Sequence, residues 1–148
     1  MSSTYLSLHY HLVFSTKERY PFLDGEWRSR LHEYLGGAVR RLGAQSRICG
    51  GVADHVHLLC DLKATHRLSD FLRELKKCSS GWIKDEIGIS KFAWQEGYSA
   101  FTVSATSLDS AREYVANQEE HHRKKSFREE LVEFLERAGV EFDPRYLD

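Results

Sequence analysis

The chain has little of what marks several protein classes. It holds two prolines, Pro21 and Pro144, and both lie outside the periodic segments, so no proline-rich linker divides its 148 residues. Its three cysteines, Cys49, Cys60 and Cys78, form no CxxC and cannot all pair, which excludes a disulfide framework and points to a reducing compartment, most simply the cytoplasm. No apolar run approaches the roughly 18 residues of a membrane span, and Met1–Ser15 carries no signal-peptide pattern, so no membrane partner is expected. No repeat or low-complexity tract is present, and a net charge of −1 gives no global basic signature for nucleic acid. What remains is one globular domain over 1–148, long enough to bury a core without a staple.

The charge is unevenly placed. Residues 1–84 hold 13 Lys and Arg against 8 Asp and Glu, while residues 85–148 hold 8 against 14. The first part can attract a polyanion while the whole stays near neutral. The C-terminal stretch is acidic, with Glu129, Glu130, Glu133, Glu136, Glu141 and Asp143. That composition suits packing or dimer contacts better than DNA.

Hydrophobic periodicity sets the elements. Leu6, Leu8, Tyr10, Leu12 and Phe14 alternate with Ser7, His9, His11 and Val13, which predicts a strand that buries its even face. Residues 26–42 turn to helical period through Trp27, Leu31, Tyr34, Leu35, Ala38, Val39 and Leu42, closed by Gly43. Residues 45–51 and 55–62 read as two strands, with Gly50, Gly51 and Asp54 marking the turn. Leu68, Phe71, Leu72, Leu75, Cys78 and Trp82 form a second helical stripe, ended by Gly88. Residues 92–104 read as a fourth strand, interrupted at Gly97. The order β-α-β-β-α-β is the ferredoxin-like α+β unit: a four-stranded antiparallel sheet with helices on one face and the other face free. Two further helices are expected over about 109–122 and 126–138, within a helical C-terminal part from about 105 to 148.

Two constellations carry chemistry. In His55-Val56-His57 the imidazoles, two residues apart on a strand, leave the sheet on one side and can grip one metal ion. His9-Tyr10-His11 has the same spacing on the first strand, a neighbour of the third in this topology, and spacing alone does not choose between the pairs. A zinc site from Cys49, His55, His57 and Cys60 has suitable ligand types, but Cys60 has the opposite strand parity to both histidines. The second constellation is Tyr114 with Gln118, which share a helix face at i, i+4. His121 and His122 follow on that helix, as plain polar face or as further candidates for metal or phosphate.

Combined, these residues suggest a reaction. A phenol of pKa about 10 is about 0.1% ionised at neutral pH and attacks usefully when a cation stabilises the developing charge. His55, His57 and the Gln118 amide oxygen are neutral ligands, so a divalent ion on them keeps its charge for a phosphate oxygen. Lys17, Arg19, Arg40, Arg41, Lys76 and Lys77, with Arg47, Lys63, Arg67 and Arg73, supply a positive region for phosphates. Tyr10, Tyr20, Trp94 and Tyr98 are candidates for stacking on unpaired bases.

Four stretches, HYHLVFSTKERYPFL at 9–23, DHVHLLCDL at 54–62, WQEGYSAFTVS at 94–104 and YVANQ at 114–118, resemble in content and order the single-tyrosine HUH transposases of hairpin-ended insertion sequences and their REP-associated relatives. The resemblance implies His55, His57 and Gln118 as metal ligands, Tyr114 as nucleophile, and Mg²⁺ as cofactor with Mn²⁺ as substitute. It implies single-stranded DNA near a hairpin as substrate, a 5′-phosphotyrosine intermediate with release of a 3′-OH, and a homodimer in which the tyrosine helix can serve either subunit. His9 and His11 match the family's first-strand motif but not its ligands, which gives them a supporting role. The competing reading is a non-catalytic module that binds single-stranded nucleic acid on a ferredoxin-like sheet.

Overall fold

A computed structural model describes residues 3–147. Met1, Ser2 and Asp148, the ends of the expected domain, lie outside the described residues. The elements are strand β1 (His9–Ser15), helix α1 (Arg28–Arg41), strands β2 (Gln45–Val52) and β3 (His55–Asp61), helix α2 (Leu68–Trp82), strand β4 (Ser99–Val103), and helices α3 (Leu108–Ala116), α4 (Gln118–His121) and α5 (Phe127–Ala138). The sheet order is β2-β3-β1-β4, and each adjacent pair is antiparallel. This is the expected α+β arrangement, with β1 and β3 side by side.

One side of the sheet is the apolar core. Leu12 and Phe14 of β1 and Val56, Leu58 and Cys60 of β3 meet Leu31, Leu35 and Val39 of α1 and Phe71, Leu72 and Leu75 of α2. The helical stripes produce this contact directly, and each leucine taken fully out of water contributes roughly 1.5–3 kcal/mol. Tyr34 stacks on Trp82 at 5.1 Å and ties the two helices together. Cys49 also packs against this core, so it stands with Cys60 on the side away from the histidines, and the mixed Cys/His zinc site does not form. Burial pushes the Cys60 thiol up to about 12, as befits an inert core residue.

The structure departs from the sequence expectations in five places. The other face of the sheet is not free. α5 lies over it, and Phe127, Leu131, Leu135 and Leu147 pack with Val13 in a second, smaller core. β1 is therefore buried on both faces from His11 to Ser15 and starts only at His9, while Leu6 is exposed. Gly50 and Gly51 lie within β2, and the hairpin turns at Ala53 and Asp54. A Cβ on Gly50 would stand 2.3 Å from the Val115 carbonyl oxygen, so the glycine lets the backbone of α3 rest on the strand. The fourth strand shrinks to five residues; Trp94 makes one bridge to Thr16, and its indole N–H donates to Ser79 Oγ at 3.0 Å. The helix expected over 109–122 breaks at Asn117, where φ −103° and ψ 29° leave the helical region between α3 and α4.

Candidate metal and tyrosine site

Register places the histidines. Ser15 pairs with His55, Val13 with His57 and His11 with Leu59, so His9, His11, His55 and His57 rise on one side of the sheet, beneath α5. His55 and His57 are completely buried. Each has its Nδ1 tied down from behind: His55 to Asp54 Oδ1 at 2.7 Å, and His57 to His11 Nε2 at 2.7 Å. Such outer bonds fix ring orientation and tautomer and leave the opposite nitrogen for a ligand role. His9 is elsewhere. It bonds Asp61 at 2.7 Å, and Arg47 clamps the same carboxylate at 2.8 and 2.9 Å. Of the two first-strand histidines, only His11 touches the site.

Tyr114 and Gln118 arrive from above. α3 seats on Gly50, directly across from His57 in the ladder. The Tyr114 ring stands edge-on to His57, with centroids 5.8 Å apart. The Gln118 amide nitrogen donates to the Tyr114 carbonyl at 3.2 Å, so its Oε1 faces the rings, 3.3 Å from His55 Nε2 and 3.0 Å from His122 Nε2. Tyr114, Gln118, His55 and His57 thus converge within one protomer.

Glu130, from α5, occupies the centre of the group. It is 1% exposed. Its Oε1 lies 3.0 Å from His57 Nε2 and 3.4 Å from His55 Nε2; its Oε2 lies 3.3 Å from His122 Nε2 and 3.4 Å from His121 Nε2, and accepts from the Tyr114 hydroxyl. The sequence reading gave Glu130 only a place in an acidic tail. The available signal was its phase: Phe127, Glu130, Leu131 and Leu135 fall on one buried stripe of α5, where a carboxylate needs a polar partner.

The electrostatics follow from burial and neighbours. Burial, reinforced by neighbouring His57, pushes His11 down to about 3. Burial also takes His57 to about 4 against the pull of Glu130. Burial acts against ionised Glu130, yet hydrogen bonds from His122, His55 and His57 hold its carboxyl far below the usual range. The Tyr114 phenol is raised above its ordinary value by burial and by its bond to the Glu130 carboxylate. In this arrangement the phenol keeps its proton.

The donors fit a divalent cation. Ligands about 2.1 Å from one ion stand about 3.0 Å apart in an octahedral shell and about 3.4 Å apart in a tetrahedral one. The contacts of Gln118 Oε1 with His55 and His122 Nε2, of Glu130 Oε1 with His55 and His57 Nε2, and of Glu130 Oε2 with His122 Nε2 span 3.0–3.4 Å, within that range. Among the described residues, His55, His57, His122 and Glu130 offer ligand atoms all within 4.8 Å of one another.

The six basic candidates are dispersed. Lys17 and Arg19 follow β1 at the His55 end of the sheet, where the Thr16 amide donates to the Asp54 carbonyl at 2.9 Å. Arg40 and Arg41 sit in the last turn of α1, at the opposite end, with the Arg41 guanidinium 5.2 Å over the Tyr34 ring. Lys76 is engaged internally, donating to the Gln95 carbonyl at 2.7 Å and to the Gly97 carbonyl, whereas neighbouring Lys77 is exposed. Tyr20 and Tyr98 are exposed, but Trp94 and Tyr10 pack against the α1/α2 core.

Residues 4–118 match the family described as "Transposase IS200 like", and the chain belongs to that family. It is 26% identical over 118 residues to the ISDra2 transposase TnpA of Deinococcus radiodurans, covering 75% of this chain and 84% of that protein. It is 26% identical over 133 residues to the transposase for insertion sequence element IS200 of Salmonella typhimurium, covering 83% and 84%. Among solved structures, a candidate transposase from Deinococcus radiodurans R1 superposes with a TM-score of 0.64 at 26% identity, over 80% of this chain and 96% of that one. A REP-associated tyrosine transposase bound to a REP hairpin shares the fold, with a TM-score of 0.56 at 15% identity over 79% and 72%. No helix among the described residues is long and apolar enough to cross a membrane.

Proposed function

We propose that this chain is a single-domain transposase that nicks and rejoins single-stranded DNA near hairpins, with Tyr114 as nucleophile. The Tyr114 oxygen bonds to the scissile phosphorus, the bond from phosphorus to the 3′ oxygen breaks, and the products are a 5′-phosphotyrosine and a free 3′-OH. Rejoining is the reverse attack by a 3′-OH, so the phosphodiester energy is conserved in the covalent link. The observation that carries this reading is the contact chain within one protomer from the Tyr114 hydroxyl through Glu130 to His57 Nε2.

His55, His57 and Gln118 would hold the cation, with Mg²⁺ as the expected ion and Mn²⁺ as substitute. When bound, the cation supplies Lewis-acid stabilisation of charge on the phosphate. The chain's own groups do the rest. Asp54 and His11 lock the two imidazoles from behind. Glu130 accepts the phenolic hydrogen bond and so stands where the Tyr114 proton departs. A groove of about 860 Å³ opens on Tyr114 between the β4 edge and α5, with Lys125 and Arg137 in its wall, and offers a path for the DNA strand. Lys17 and Arg19 extend positive charge at the His55 end. A homodimer is the expected assembly, and because Tyr114 meets its own chain's histidines, each protomer carries a complete set.

The test is covalent capture. Wild-type protein incubated with hairpin-bearing single-stranded DNA and Mg²⁺ gives a protein–DNA adduct that survives denaturing electrophoresis. Tyr114→Phe gives none while still binding the DNA. An adduct from the variant would remove Tyr114 as nucleophile. Binding without any wild-type adduct, across a range of oligonucleotides, would favour the non-catalytic module.

A further inference from the structure

We propose that Glu130 and His122, both from the C-terminal segment, complete a five-donor cation site with His55, His57 and Gln118, and that this set selects a first-row transition ion such as Mn²⁺ or Zn²⁺ over Mg²⁺. The inference rests on the cation-binding reading above, extends it to two residues outside the H-x-H motif and the tyrosine helix, and replaces Mg²⁺ as the ion held most tightly.

His122 is built like the other two ring donors. Its Nδ1 is tied from behind, donating to the Lys125 carbonyl at 2.7 Å, which turns Nε2 inward with a lone pair when the ring is neutral. That lone pair faces Gln118 Oε1 at 3.0 Å and Glu130 Oε2 at 3.3 Å. His55 repeats the pattern: its Nδ1 is spent on Asp54, and its Nε2 faces Gln118 Oε1 at 3.3 Å and Glu130 Oε1 at 3.4 Å. The Gln118 oxygen cannot be exchanged for its nitrogen without losing the donation to the Tyr114 carbonyl. When the rings are neutral, nitrogen lone pairs and oxygens face one another across a largely buried centre. Protons on the rings or one bound cation can supply the positive charge between them, and the convergence of ligand atoms from His55, His57, His122 and Glu130 within 4.8 Å of one another suits the cation.

The donor chemistry chooses the ion. Three imidazole nitrogens, an amide oxygen and a carboxylate form a nitrogen-rich shell, which suits first-row transition ions. Mg²⁺ prefers all-oxygen octahedral shells and keeps several waters, for which this crowded, buried centre leaves little room. The shape of α5 supports the assignment. Glu130 belongs to the face that packs on the sheet, so its carboxylate is delivered by the same burial that seats Phe127 and Leu131.

The experiment is equilibrium binding of Mn²⁺, Zn²⁺ and Mg²⁺ to chelator-stripped full-length protein by titration calorimetry, with electron paramagnetic resonance of the Mn²⁺ form. Wild type is expected to bind Mn²⁺ and Zn²⁺ at least about a hundredfold more tightly than Mg²⁺. Glu130→Gln and His122→Ala are each expected to weaken Mn²⁺ binding by about tenfold or more. Nitrogen hyperfine couplings should report three imidazoles on bound Mn²⁺, and this readout needs no variant to fold. Two imidazoles only, a wild-type preference for Mg²⁺, or wild-type Mn²⁺ affinity in both variants while His57→Ala loses it, would each overturn the proposal and leave the H-x-H reading standing. Unchanged Mn²⁺ affinity in His57→Ala would overturn both.

Discussion

On the α1/α2 side of the sheet, Leu12, Phe14, Val56, Leu58 and Cys60 meet apolar helix stripes. One residue along the same strands, His11, His55 and His57 face a buried polar cluster of Glu130, Tyr114 and Gln118. The pleat alone separates the two materials. A strand pair can thus hold the fold with its even positions and present polar side chains with its odd ones, because successive side chains point to opposite faces. The site face also carries a core, but a smaller one centred on Val13, which clamps α5 beside the histidines.

Three substitutions can break or sharpen that contrast. Leu58→Ala has the largest expected effect on stability, about 2–5 kcal/mol from lost burial and the cavity left behind, read as a lower urea midpoint at unchanged slope. Because Leu58 points away from the site, the folded variant should bind Mn²⁺ as wild type does; a loss as great as that of His57→Ala would show that the faces are coupled. Gly50→Ala comes next. Its Cβ meets the Val115 carbonyl, so α3 must move, at a cost of about 1–3 kcal/mol. The rate of adduct formation should fall with the melting temperature, because Tyr114 rides on α3; an unchanged rate would detach the tyrosine's position from the strand.

Asp61→Asn is the smallest. Burial acts to raise the Asp61 carboxyl, but hydrogen bonds from Arg47 and His9 outweigh it and hold it below the usual carboxylate range. Since the folded value is the lower one, the stabilisation is fully present above the unfolded value of about 3.9 and is lost as pH falls through the folded one. Wild type and variant should differ modestly in melting temperature at pH 7 and converge on acidification below about pH 3.9. A gap that widens in acid would reverse the assignment.

Much of this was legible in the chain. Period-two alternation in β1 and β3 put the histidines on one side and Cys60 on the other, and helical stripes fixed α1 and α2. The convergence of Tyr114 and Gln118 on His55 and His57 followed from those faces together with the resemblance. What was not legible came from long-range packing. Nothing within residues 9–15 signals that both faces of β1 are covered, because α5, more than a hundred residues on, supplies the second cover. Glu130 was hidden among Glu129, Glu133 and Glu136, and only its phase against Phe127 and Leu131 sets it apart. The break at Asn117 has no proline or glycine to announce it. Gly50 and Gly51 read as a turn because glycine signals both turns and close approach; here Gly50 serves the second.

The capping box at the start of α5 has a consequence for how this protein can vary. The Ser126 hydroxyl accepts from the Glu129 amide at 3.2 Å while the Glu129 carboxylate reaches back to Ser126, and the Glu130 amide donates to the Ser126 carbonyl at 3.0 Å. The direction in which Glu130 points is thereby counted off from a fixed origin, and each residue added between them would swing it by about 100° around the axis. Descendants of this chain can exchange side chains along the outer surface of α5 freely, but a single codon gained or lost between Ser126 and Glu130 would turn the carboxylate toward solvent in one step.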